Sequence, residues 1–155
     1  MRRDAVTTAP VLKARSLVPG TEQARIARVG DRQLPVRRRH SLEAEQLGQV
    51  IVDAIVSKMG EDVLLLDIRS LSSFADYFVI CSGASERQLN ALAEEVRVKT
   101  RADGVSPVRS EGSPASGWML LDYGSVVVHI FSPPTRKYYN IEQLWKDART
   151  VVRLL

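Results

Sequence analysis

The sequence predicts an α/β domain, with a mixed sheet of about five strands flanked by helices. Two apolar runs of strand length, Val63–Ile68 and Tyr77–Cys81, lie between segments with helical periodicity. Residues 77–109 follow strand, helix, strand, and are long enough for a right-handed parallel crossover. Trp118–Tyr123 and Val126–Phe131 are further strand-length runs joined only by Gly124-Ser125, the signature of an antiparallel hairpin with a primed turn.

Taken in order, Ser41 is the expected cap of a first helix. Leu47, Val50, Ile51, Ala54, Ile55 and Met59 recur at three- and four-residue spacing, and Gly60 stops it. The nearly unbroken apolar character of Val63–Ile68 suits a central strand covered on both faces. Leu71–Ala75 is a polar connection to the second strand. Ser85 and Gln88 form a capping box for a helix whose apolar side carries Leu89, Leu92, Ala93 and Val96 and which ends at Asp103-Gly104. Val105–Arg109 reads as a short strand, at an edge because of Pro107. Residues 110–117, SEGSPASG, read as a loop before the hairpin. Asn140 and Gln143 read as a capping pair opening a last helix with Ile141, Leu144, Trp145 and Ala148 on its apolar face. Thr150–Leu155 is either a further helical turn or an apolar tail. There is no internal repeat.

Charge divides the chain in two. Residues 1–40 hold ten Lys or Arg against three Asp or Glu, a net +7, whereas residues 41–155 hold twelve against fifteen, a net −3. The expected organisation is a basic extension, 1–40, and a mildly acidic domain, 41–155. Such a domain suits a basic protein partner better than a broad phosphate surface, which needs clustered Lys and Arg. The extension reads as a disordered segment or an over-long translation start; the alternatives are a basic arm touching RNA or an organelle transit peptide. One cysteine, Cys81, excludes an intrachain disulfide and points to a reducing compartment. No apolar run approaches the eighteen or so residues of a membrane span, so no membrane partner is expected.

Two blocks carry a family resemblance. The first is Asp76-Tyr77-Phe78-Val79-Ile80-Cys81-Ser82-Gly83-Ala84-Ser85, followed by Gln88. The second runs from Glu111-Gly112 through Trp118–Phe131 to Arg136-Lys137-Tyr138-Tyr139, Ile141-Glu142 and Leu144-Trp145. Together they resemble the Iojap family, the ribosomal silencing factors, over about Leu47–Ala148. The resemblance implies a nucleotidyltransferase-like α/β core, with binding to ribosomal protein L-fourteen on the large subunit. It further implies a block on small-subunit joining that represses translation. It places the protein in the bacterial cytoplasm, or in a mitochondrion or plastid if the extension is a transit peptide, where an organellar large-subunit assembly role is the alternative. A homodimer is left open.

An enzyme of the nucleotidyltransferase type is the rival. Ser82–Ser85 follows a strand and opens a helix, a place where an anion can be held. Such enzymes also need clustered carboxylates for paired metal ions. No Asp-x-Asp occurs, and Asp122 is the only carboxylate within the hairpin's strands. The turn is therefore expected to serve as a turn and helix cap, with no catalytic residue, cofactor or metal. Cys81 is expected to be a buried inert thiol, His129 a satisfied sheet residue, and Asp67 and Asp76 turn or cap residues at strand ends.

A surface remains. Trp118, Leu120 and Asp122 share one strand face, and Met119, Leu121 and Tyr123 the other. Trp118, Leu120 and Asp122, with Tyr123, Tyr138 and Tyr139, form the candidate partner-binding set: aromatic anchors beside a charge for a basic partner. The alternative for Trp118 is the core. Of Tyr138 and Tyr139, read as extended chain, one is expected on the surface.

Overall fold

The computed structural model describes residues 34–155, with side chains from Glu43 onward. Expectations for the first thirty-three residues lie outside the described part. Helix α1, Leu34–Ser57, runs straight through Ser41, which is therefore not its cap. Arg, Leu, Glu and Ala on either side favour helix, and one serine among them does not interrupt it. Strand β1, Glu61–Asp67, leads to β2, Tyr77–Ser82, and helix α2, Glu86–Ala102. Then follow β3, Arg109–Ser113, a 3-10 turn at Pro114–Ser116, and the hairpin strands β4, Trp118–Asp122, and β5, Val126–Phe131. Two short helices, α3 at Pro133–Tyr139 and α4 at Ile141–Leu144, precede strand β6, Arg149–Leu154.

The mixed α/β sheet is as expected in kind but has six strands, in the order β3-β4-β5-β2-β1-β6. Of Thr150–Leu155, read as helical turn or tail, residues 150–154 instead form most of edge strand β6, antiparallel to β1. The strand expected at 105–109 lies further on, at Arg109–Ser113, inside the expected loop. Its ladder to β4 pairs Arg109 with Asp122 and Ser113 with Trp118. The parallel neighbour of β2 is β5, not β3: Tyr77 pairs with Val126 and Ser82 with Phe131. The crossover through α2 thus reaches β3 at the far edge, beyond β5 and β4.

Each sheet face has its own core. Helices α1 and α2 cover one face, with Ile51, Ile55, Leu92 and Val96 packed on Leu65, Val79, Val128 and Met119. The opposite face carries Phe78, Ile80, Trp118, Leu120 and Phe131, and is closed by Ile141 and Trp145 with the partly buried Leu71, Phe74 and Tyr139. Burial on both sides explains the unbroken apolar runs of β1 and β2. In the hairpin turn, Gly124 has φ +85, and the Tyr123 amide donates to the Val126 carbonyl at 2.8 Å.

Asp67 does more than end a strand. Its carboxylate accepts from Arg69 Nε at 2.9 Å and Nη2 at 2.7 Å, and from Arg149 Nη2 at 3.1 Å, tying β6 to β1. The Arg69 hydrogen bonds outweigh the opposing effect of burial and hold the carboxyl down at about 2, below its ordinary 3.8. The folded state therefore gains stability that is fully present above about pH 4 and lost as pH falls through about 2. Asp67→Asn should cost about 1–2 kcal/mol at pH 7, after allowance for screening at the exposed Arg149. The urea midpoints of variant and wild type should converge near pH 2. A gap that persists unchanged at pH 2 would assign the loss to packing rather than charge.

Candidate interaction surface

The loop after β5 begins with Ser132, whose Oγ lies 2.8 Å from Thr135 Oγ1, and Pro133-Pro134 supply the first helical positions of α3. Proline suits that place because its missing N–H would be unsatisfied there and its φ is already helical. Asn140 closes α3 in the left-handed region, φ +45 and ψ 52, with its amide donating to the Arg136 carbonyl at 2.8 Å. It makes no side-chain cap for α4, so the expected Asn140–Gln143 capping pair is not formed. Asparagine tolerates this conformation better than other non-glycine residues, which lets the chain break direction between two short helices.

Tyr138 and Tyr139 are thus helical, not extended. Tyr138 is 80 % exposed, while Tyr139 is half-buried on Trp118, ring centroids 4.7 Å apart. The two tyrosines meet edge to face at 4.9 Å. Beneath them Trp118 packs on Phe131 at 4.8 Å and its Nε1 donates to His129 Nδ1 at 3.3 Å. Four aromatic rings therefore run from the core to solvent in the order Phe131, Trp118, Tyr139, Tyr138.

This arrangement corrects the expected patch. Trp118 is 2 % exposed and Leu120 fully buried, because the face of β4 that carries them is covered by α4 and its neighbours. Trp118 is core. Tyr123 is also buried, on the opposite sheet face, where its hydroxyl lies 2.9 Å from Thr100 Oγ1. Asp122 sits at the hairpin end, and its Oδ1 accepts from the Gly124 amide at 2.8 Å. Trp118 and Asp122 stand at opposite ends of β4, roughly 13 Å apart along an extended strand. Of the six candidates, Tyr138 and part of Tyr139 offer aromatic surface, and Leu144 on α4, 44 % exposed, was not foreseen.

Arg136 was missed as well. It is 6 % exposed, and nothing in the sequence distinguishes it from the exposed Lys137 beside it. Its Nε and Nη2 donate to Glu142 Oε2 and Oε1 at 3.0 and 3.2 Å, so the Arg and Glu of the C-terminal motif are partners.

The Ser82–Ser85 turn is occupied by its own side chains. Ser85 Oγ accepts from the Gln88 amide at 3.1 Å, and Gln88 Oε1 accepts from the Ala84 amide at 2.7 Å. Gln88 Nε2 also donates to the Lys58 and Met59 carbonyls, clamping α2 to the end of α1. Gly83 is there for packing: a Cβ would come within 2.9 Å of Leu89 and 3.1 Å of Leu92. Among the described residues, no group of three His, Cys, Asp or Glu could hold a metal ion. Cys81 is fully buried, and burial pushes its thiol up to about 12. No described helix is long and apolar enough to cross a membrane.

The chain is similar to proteins already known. The profile of the family described as "Ribosomal silencing factor during starvation" matches residues 41–154. A Halalkalibacterium halodurans protein named ribosomal silencing factor RsfS is 42 % identical over 107 residues, covering 69 % of this chain and 92 % of that one. A mouse protein named for mitochondrial assembly of the ribosomal large subunit is 33 % identical, covering 62 % of this chain and 43 % of its own. A crystal structure of a Chromobacterium violaceum protein superposes with a TM-score of 0.64 at 35 % identity, covering 72 % of this chain and 92 % of that one.

Proposed function

The chain belongs to the ribosomal silencing factor family, and from that membership we propose that it docks on ribosomal protein L-fourteen of the large subunit and sterically blocks small-subunit joining. Translation is thereby repressed without catalysis. The observation that carries this is the family match across residues 41–154, nearly all of the described residues. The exposed end of the aromatic stack supplies the docking feature: Tyr138, backed by Tyr139 and Trp118, is a large rigid ring that loses little freedom on burial. The helix-cap use of the Ser82–Ser85 turn supports a non-enzymatic role. The bacterial relatives support a cytoplasmic site of action. The +7 charge of residues 1–40 supports a secondary contact with ribosomal RNA phosphates.

The test is sedimentation of the tagged protein over a sucrose gradient. It should travel with free large subunits and be absent from joined ribosomes; equal occupancy of both would refute a joining block. Tyr138→Ala should weaken large-subunit binding about thirty-fold, the loss of about 2 kcal/mol typical of an aromatic anchor. Its thermal midpoint should stay within about 2 °C of wild type, since truncating an exposed ring changes little. Unchanged affinity would place the docking surface elsewhere.

A further inference from the structure

Helices α3 and α4 have seven and four residues, lengths that do not hold helix on propensity alone. Tertiary contacts must set them, and of α3 only Arg136 is buried. Its guanidinium joins three separate segments. Nε and Nη2 grip the Glu142 carboxylate in α4; Nη1 donates to the Asp62 carbonyl at 2.7 Å and to Ser82 Oγ at 2.9 Å; Nη2 stands 3.7 Å from the Asp62 carboxylate. The entry of β1 is shaped to receive it. Asp62 has φ +47, in the left-handed region, and the β1–β2 register breaks between Glu61 and Leu64. That local strain is borne where the backbone carbonyl meets Arg136 rather than a neighbouring strand.

The helical period connects this anchor to the surface. At about 100° per residue, Tyr138 lies roughly 200° around α3 from Arg136 and Tyr139 roughly 300°. The rotation that buries Arg136 therefore turns Tyr138 outward and lays Tyr139 back on Trp118. We propose that Arg136 is a positioning residue of the docking surface: its bridge to Glu142, Asp62 and Ser82 sets the rotation of α3 and hence the direction in which Tyr138 is presented to the large subunit. The proposal rests on the docking function above. It assigns a role to the Arg and Glu of the C-terminal motif, neither of which touches the partner in this scheme. A lysine keeps the charge but cannot hold a carboxylate with two parallel bonds while reaching two further acceptors.

The experiment is a double-mutant cycle on binding to purified large subunits, using Arg136→Lys and Tyr138→Ala in the full chain. Arg136→Lys alone should weaken binding about tenfold, the scale of coupling between residues of one network. In the Arg136→Lys background, Tyr138→Ala should cost less than about threefold instead of about thirty-fold, because the ring is no longer aimed. Amide exchange should accelerate across residues 134–142 while β2 and β5 stay protected. A Tyr138→Ala cost equal in both backgrounds would overturn the proposal, leaving Arg136 a stabilising residue only. If Tyr138→Ala has no effect in the otherwise native chain, the docking surface itself is wrong and the proposal falls with it, a distinct result. Should Arg136→Lys fail to fold, Glu142→Gln weakens the same bridge at equal volume and must show the same reduced cost of Tyr138→Ala; full additivity there overturns the proposal.

Discussion

Trp118→Ala should destabilise the domain by about 3–5 kcal/mol, the range for removing a large buried aromatic side chain. Trp118 is 2 % exposed and contacts Phe131, Tyr139 and His129. Truncation opens a cavity between the sheet and the α3–α4 cover and removes the N–H donor to His129 Nδ1. For a domain of this size the thermal midpoint should fall by more than about 10 °C. Circular dichroism melts would show it directly. A midpoint within about 2 °C of wild type would mean that this side of the sheet contributes little to the fold. Any accompanying loss of large-subunit binding would be secondary, because Tyr139 rests on the removed ring. Tyr138→Ala, which leaves the core intact, is the cleaner probe of docking.

Added at about a hundred times its dissociation constant for the large subunit, the protein should weaken subunit association about a hundred-fold. A steric blocker binds the free large subunit and is excluded from the joined ribosome, so linkage reduces association by one plus concentration over dissociation constant. No nucleotide is required. The exclusion is reciprocal, so excess small subunit should displace the protein from large subunits. Light scattering of subunit joining across a titration measures both. Inhibition that levels off at a partial value, or that small subunits cannot reverse, would point to an allosteric effect or a catalysed modification instead.

Elements with strong local signals were legible in the chain. β1 and β2 announced themselves by unbroken apolar runs, the hairpin by Gly124-Ser125, and α2 by Ser85 and Gln88 at its start. The edges were not. β3 is Arg-Ser-Glu-Gly-Ser, with four exposed residues of five and no apolar alternation to find. β6 leaves its residues exposed or half-buried, and its partner β1 precedes it by more than eighty residues. No local window holds that pairing. Pro133-Pro134 is a helix-start signal present in the sequence, and it marks Tyr138 and Tyr139 as helical rather than extended.

For the surface, the sequence alone determined which side chains could act: the aromatic residues Trp118, Tyr138 and Tyr139, the two motif blocks, and the shortage of clustered carboxylates. Composition and local order suffice for such statements. Which aromatic is buried and which is presented was decided only in three dimensions. β4 has two apolar faces and could have exposed either, until α3 and α4 folded over the one that carries Trp118. The same packing buried Arg136, whose cost is offset by Glu142, Ser82 and Asp62, residues six, fifty-four and seventy-four positions away. Burial is a property of what lands on a residue. In this protein the covering elements are short helices whose stability comes from the tertiary contacts themselves, so their placement has no local sequence signal.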